Sequence, residues 1–351
     1  MKAARWHGNK DVRVEDVPEP SPGANEVKIK VKWCALCGTD LHEYRDGPVL
    51  VPASRPHPLT GKQAPVTLGH EFSGDVVAVG SGVSNVSVGD RVCVNPLIYC
   101  NNCYWCWRGR YNECAQLGTL GLGADGALAE YVVAPAYGCY RLPPSVSYEM
   151  GALTEPLAVA VRGFRRGGIS IGDNVAIIGA GPIGLLSLQV ALAGGAGQVF
   201  VINRGLARRE LALRLGATAA YNPQEVDPGK EISKLTDRVR ADVALECAGG
   251  PEPMKTAVSV SKRAGRIVLL GISARPYEFD FDRILFQEKE IIPVQGYVDE
   301  FPAAISLLAN GKINTDAVIT GRIKLADIVT KGFEALIANP AENIKILVSP
   351  E

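Results

Sequence analysis

Asn174-Val-Ala-Ile-Ile-Gly-Ala-Gly-Pro-Ile-Gly184 is the stretch on which the fold turns. A short apolar run suited to a buried strand leads straight into G-x-G-x-x-G, and a helical pattern begins at Pro182. In that setting Gly179 makes the tight turn, Gly181 lets the backbone approach a pyrophosphate, and Gly184 lets the helix pack closely on the strand. The amino end of the helix, with Pro182 and Ile183, offers free N–H groups and the positive end of its dipole to phosphates. A glycine-rich turn can also be purely structural, so the sequence downstream of it matters.

Downstream lies a complete strand and helix series: VFVIN, LARRELALRL, ADVALECAG, a further helix and GRIVLLG. This alternation predicts an α/β doubly wound parallel sheet, a Rossmann domain binding a dinucleotide over residues 157–293. Upstream the texture differs. Short β-rich runs such as VKIKVKW, FSGDVVAVG and AEYVVAP, broken by Gly, Pro, Asn and Asp turns, predict an antiparallel, barrel-like domain over residues 1–156. After Pro293 the alternation stops, and residues 294–351, closing on KILVSP, are expected to return to the first domain.

Asn203 ends the second strand of the series, where an NAD enzyme usually carries an acid for the adenosine ribose. Arg204 comes next, with Arg208 and Arg209 one turn later, so a 2′-phosphate meets cations and no repelling carboxylate. NADP is favoured over NAD by a small margin. The competing reading has Asn203 bonding the NAD ribose while the arginines form an ordinary solvated helix face.

The 351 residues, 47% of them hydrophobic and 21% charged, suffice for two domains with real cores. Lys+Arg and Asp+Glu both number 37, so nothing steers the chain toward nucleic acid, and small molecules are the expected partners. The amino end lacks a signal-peptide core and no apolar run reaches membrane-span length, which predicts a cytoplasmic protein.

Four of the nine cysteines crowd into one window as C-x2-C-x2-C-x7-C: Cys100, Cys103, Cys106 and Cys114. Thiolates at this spacing can converge on one Zn²⁺, and four protein ligands leave no open position, so the zinc is expected to be structural, in a lobe of about residues 96–116. Iron–sulfur and disulfide readings compete less well. Trp105 and Trp107 are expected to pack around the lobe. Three other segments offer a second metal its ligands: Cys37 in Cys-Gly-Thr-Asp-Leu-His42, His70 with Glu71, and Glu155 in Thr-Glu-Pro156. Sequence alone does not bring them together.

The order Cys-Gly-Thr-Asp-x-x-His, Gly-His-Glu, four-cysteine lobe and Gly-x-Gly-x-x-Gly resembles the zinc-dependent medium-chain dehydrogenase/reductase superfamily along the whole chain. Glu155, and the long segment Gly47–Phe72, resemble its polyol branch, the group of the sorbitol and (R,R)-2,3-butanediol dehydrogenases. The resemblance implies a GroES-like β-rich catalytic domain beside the Rossmann domain, and two zincs per chain. It implies Cys37 and His70 as ligands of the catalytic zinc, with Glu71 and Glu155 as further candidates, directly or through water. It also implies oxidation of a secondary alcohol or vicinal diol with a proton relay through Thr39 and His42, and a homodimer or homotetramer. Thr39 as a turn hydroxyl, His42 as a surface histidine and Glu155 as a hinge carboxylate are the plainer alternatives. Asp40, Tyr44 and Arg45 are candidates to line the substrate entrance, and His57 to border the pocket.

Overall fold

The strand Glu26–Ala35 shows how the amino-terminal unit is built. Its sequence alternates charged and β-branched residues, and Val27, Ile29 and Val31 are fully buried while the lysines between them are not, as one-sided burial of an antiparallel strand requires. This strand is the centre of a seven-stranded sheet. Glu71–Val79 and Tyr131–Pro135 pair with it antiparallel, and so does the carboxy-terminal strand Lys345–Ser349, which Ile319–Lys324 extends in parallel. Trp6, Ile29, Leu68, Phe72 and Leu128 fill the core beneath it, each contributing about 1.5–3 kcal/mol by leaving water.

The second unit is an α/β layer structure. Asn174–Ile178 lies in a six-stranded, all-parallel sheet in the order Ala219–Tyr221, Gln198–Ile202, Asn174–Ile178, Ala241–Glu246, Ser261–Leu269, Glu290–Pro293. Strands covered on both faces read as unbroken apolar runs, and Val175, Ala176, Ile177 and Ile178 are all buried. The helix Pro182–Ala193 starts at the glycine turn.

The molecule is described by a computed structural model over residues 1–273 and 276–351. It divides into one unit of residues 1–155, 301–309 and 319–351 and another of residues 156–300 and 310–318. Among the described residues no helix is long and apolar enough to cross a membrane.

Candidate metal centres and dinucleotide site

Strand register assembles the first site. Ala35 pairs with Glu71 on one side and with Leu347 on the other, so the chain leaving Ala35 passes between the start of one strand and the start of another. Leu36 N–H donates to Ile346 O at 2.9 Å, and the next residue, Cys37, is the N-cap of the helix Gly38–Asp46. Asp40 accepts from Cys37 N–H at 2.9 Å through Oδ2, which fixes the turn that presents the thiol. Gly69 (φ +95°) precedes His70, and a Cβ there would lie 2.6 Å from Leu128 Cγ and 2.7 Å from Cys34 Sγ; only glycine lets the chain deliver His70 to this point.

Ligand atoms of Cys37, His70 and Glu71 lie within 4.8 Å of one another. His70 is buried, and its Nδ1 stands 3.5 Å from Oδ1 of the fully buried Asp40. Among the described residues neither atom has a hydrogen-bond partner, and a carboxylate facing the second ring nitrogen is the usual device for orienting a metal-ligating histidine. Burial alone disfavours a charged imidazole; Asp40 and Cys37 outweigh it and hold His70 well above its ordinary range. The surroundings favour positive charge, and thiolate, imidazole and carboxylate are zinc donors, so the residues fit that ion.

Glu71 is also held elsewhere. Both its oxygens accept from Lys345 Nζ, at 2.8 and 2.7 Å, and Lys345 also donates to Leu36 O at 3.1 Å. Both residues are buried. Burial works to neutralise the lysine, but Glu71, Cys37 and Glu155 prevail and raise its pKa. Sequence reading does not find Lys345; the available signal is a lysine opening the apolar run KILVS. Glu155 is nearly buried at the start of the helix Thr154–Arg166, close enough to act on Lys345, yet it does not join the three-residue cluster.

Thr39 Oγ1 lies 3.6 Å from Cys37 Sγ. His42, three residues on along the same helix, is 32% exposed, with Nδ1 3.9 Å from Asp46 Oδ2. The entrance candidates have other work. Asp40 backs His70, Tyr44 stacks on Phe333 and donates to Glu334 at 2.6 Å, and Arg45 pairs with Asp46 on the surface. His57 braces a loop: its Nδ1 accepts from Leu59 and Thr60 N–H, and its ring packs where side chains at Gly118 and Gly123 would stand.

The four-cysteine window forms the second site. Sγ atoms of Cys103 and Cys106 are 3.6 Å apart, those of Cys100 and Cys114 3.5 Å, and all four lie within 4.8 Å. A tetrahedron with Zn–S of about 2.3 Å has sulfurs about 3.8 Å apart, and a disulfide is about 2 Å; the cluster fits zinc. Backbone N–H groups of Cys100, Asn102 and Gln116 point at the sulfurs. Those of Ala115 and Cys106 lower the Cys103 thiol to about 6. Trp107 departs from expectation: it is 70% exposed, because the lobe is too small to cover it.

At the third site Gly179 (φ +99°) turns the chain, and a Cβ on Gly184 would sit 1.8 Å from Gly179 O, so the helix can close on the strand only as glycine. Around Gly181 nothing but Arg208 Nη1, at 3.9 Å, comes within reach of an added Cβ. A Gly181→Ala variant is therefore expected to keep its thermal midpoint while its dinucleotide Kd rises about tenfold, since the methyl stands where phosphate approaches; equilibrium binding and a thermal melt check both halves. A cavity of about 940 Å³ lies beside the turn, lined by Gly179, Asn203, Arg204 and Glu225 among others. Asn203 Oδ1 accepts from Ala180 N–H at 3.2 Å, Arg208 donates to Ala180 O at 2.9 Å, and Arg209 donates to Asn203 O and faces Glu225 at 3.9 Å. Arg208 is thus fastened under the turn, whereas the exposed Arg204 has no such tie among the described residues.

The alcohol dehydrogenase GroES-like domain family matches residues 23–144, and the zinc-binding dehydrogenase family residues 182–310. The chain is 42% identical over 356 residues to the (R,R)-butanediol dehydrogenase of Bacillus subtilis, covering 100% of each. The solved structure of 2R,3R-butanediol dehydrogenase from that organism matches with a TM-score of 0.93 at 41% identity, covering 100% of this chain and 99% of that one. A sorbitol dehydrogenase of Halalkalibacterium halodurans is 36% identical, with 98% and 97% covered. A zinc-binding dehydrogenase from Sinorhizobium meliloti, solved bound to NADP, matches with a TM-score of 0.89 at 35% identity, with 99% of each chain covered.

Proposed function

Since the chain belongs to the zinc-dependent medium-chain dehydrogenase/reductase superfamily and is an alcohol dehydrogenase, we propose that it interconverts (R,R)-2,3-butanediol and acetoin, or a closely similar secondary alcohol and ketone. The supporting observation is the convergence of Cys37, His70 and Glu71 beside Thr39, in a chain matching a butanediol dehydrogenase end to end at 42% identity. The unit built on residues 1–155 is the catalytic domain, and that built on residues 156–300 the dinucleotide-binding domain.

Two zincs per chain belong to this reading: a structural one on Cys100, Cys103, Cys106 and Cys114, and a catalytic one on Cys37, His70 and a carboxylate. Bound there, the catalytic zinc would act as the Lewis acid that makes a substrate hydroxyl acidic, and the nicotinamide would take the hydride. Asp40, facing Nδ1 of His70, leaves Nε2 as the ring nitrogen for a ligand. Glu71 supplies carboxylate oxygens within the cluster, with Glu155 behind it, directly or through water. Thr39 would take the substrate proton at Oγ1 while releasing its own hydroxyl proton toward His42, which is partly exposed and would exchange it with solvent.

NADP is the preferred coenzyme on this reading, carried by Arg204 at the cavity and by the absence of an acid at Asn203. The expected outcome is a higher kcat/KM with NADP than with NAD, and an Arg204→Ala variant losing about tenfold with NADP alone, about 1.4 kcal/mol. A strong NAD preference sinks it. Butanediol, acetoin and sorbitol, assayed with both coenzymes in both directions, test the substrate; faster turnover of sorbitol makes the protein a polyol dehydrogenase instead.

None of the nine cysteines is joined in a disulfide, which supports a cytoplasmic location. Exposed Phe281, Leu285 and Phe286, on the segment entering the sheet-edge strand Glu290–Pro293, support a homodimer or homotetramer.

A further inference from the structure

In a doubly wound sheet the ligand sits at the carboxyl ends of the strands, where the glycine turn lies. The opposite end of this sheet carries a second cavity, of about 460 Å³, lined by Arg238, Arg240, Ser261, Lys262, Arg263 and Arg283 among others. Arg240 immediately precedes the strand Ala241–Glu246, while Ser261, Lys262 and Arg263 open the next strand. Lys289 immediately precedes the strand Glu290–Pro293 and is buried against the same Ser261.

The cations here are poorly matched by acids. Lys262 pairs with Asp242, and Arg240 donates to Ser259 O at 2.8 Å. Lys289 donates to Val258 O, Ser261 O and Ser261 Oγ at 2.6–2.9 Å, with no carboxylate partner among the described residues. The side chains of Arg238, Arg263 and Arg283 make no hydrogen bond or ion pair among the described residues. Asp237, Asp282 and Glu288 are exposed on the same segments and take none of them. Burial and the charges of Arg240, Arg283 and Arg263 push Lys289 down to about 8, so the positive field is felt inside the protein.

Helix ends explain part of this. The last turn of Pro251–Val260 leaves carbonyls that Lys289 and Arg240 satisfy. They do not explain three further guanidinium groups around a cavity. Of the seven non-glycine residues with positive φ among the described residues, five stand at this end: Asp237, Arg238, Arg240, Ala264 and Glu288. Backbone held in that region costs free energy, and such residues gather where a ligand is clamped.

We propose that this cavity is a second anion site, taking a phosphate-bearing small molecule. Planar guanidinium forks bind phosphate oxygens in pairs. The volume lies within the range of small-molecule sites and exceeds that of a bare phosphate ion, so an ester of phosphate fits better than the free ion. Arg283 lines both this cavity and the one beside the glycine turn, and the test therefore leaves Arg283 alone.

The experiment is calorimetric titration of the whole protein with inorganic phosphate at low ionic strength, with the dinucleotide pocket saturated by NADH or NADPH. One phosphate per chain is expected to bind beyond the cofactor. In an Arg238→Ala/Arg263→Ala variant its Kd should rise at least about tenfold, while a Lys312→Ala/Lys324→Ala variant of equal net charge, altered elsewhere on the surface, should match the wild type. Unchanged cofactor binding in the first variant shows that its unit still folds, and each single variant, tested alone, should give an intermediate loss. Absence of binding, binding indifferent to Arg238 and Arg263, or an equal loss in the lysine variant overturns the proposal.

Discussion

A Cys37→Ala variant is expected to retain one zinc per chain instead of two and to lose at least about a thousandfold in kcat/KM. The thiolate is the one soft donor of the catalytic cluster, and Asp40 holds its backbone at the helix cap so that it points there. Without it, His70 and Glu71 remain, and Glu71 is already engaged by Lys345; two donors of which one is shared make a weak site. A Lewis acid supplies several kcal/mol of charge stabilisation, and about 4 kcal/mol corresponds to a thousandfold in rate. The Cys100, Cys103, Cys106 and Cys114 cluster is closed by four thiols and is remote in sequence, so its zinc should survive the substitution. Mild chelation of the wild type should likewise strip the Cys37 site first, because that site keeps an open position for exchange. Metal analysis and steady-state assays on the same preparation decide it: a variant with full zinc content and full activity would falsify the ligand assignment.

The features legible in the sequence are those whose chemistry is local. The glycine turn specifies three residues within one bend, and its geometry follows from what a Cβ would strike. The cysteine window has its four donors in one short loop, and Gly69-His70-Glu71 carries its own positive-φ glycine. Lys345 is hidden because its partner lies 274 residues away, and only the register of both strands against Ala35 brings the two together. A lysine opening a strand ordinarily faces solvent. Asp40 reads as an entrance residue for a related reason: a helix face does not reveal that His70 stands behind it. Trp107 reads as packed because a large apolar ring usually is, but the lobe has too little mass to bury it.

The buried Lys345 gives the other large expectation. Its ammonium and the Glu71 carboxylate are both almost inaccessible to water, and Nζ reaches both oxygens. A buried pair gains little over an apolar replacement of both partners, but removing one partner strands a charge and costs about 3–5 kcal/mol. Lys345→Met should therefore lower the denaturation midpoint of zinc-stripped protein strongly. Adding Glu71→Gln to the same chain should recover most of the loss, because the amide needs no counter-charge. Zinc should rescue the single variant more than the double one, since a dication near Cys37 and His70 can take the place of the ammonium beside Glu71 and has nothing to neutralise beside the amide. Melts of wild type, both single variants and the double variant, each with and without zinc, resolve these contributions. If Lys345→Met melts with the wild type when stripped of zinc, the ion pair does not hold the site together. If zinc stabilises the single and double variants equally, Glu71 faces the lysine alone and the third ligand of the catalytic metal must be sought at Glu155.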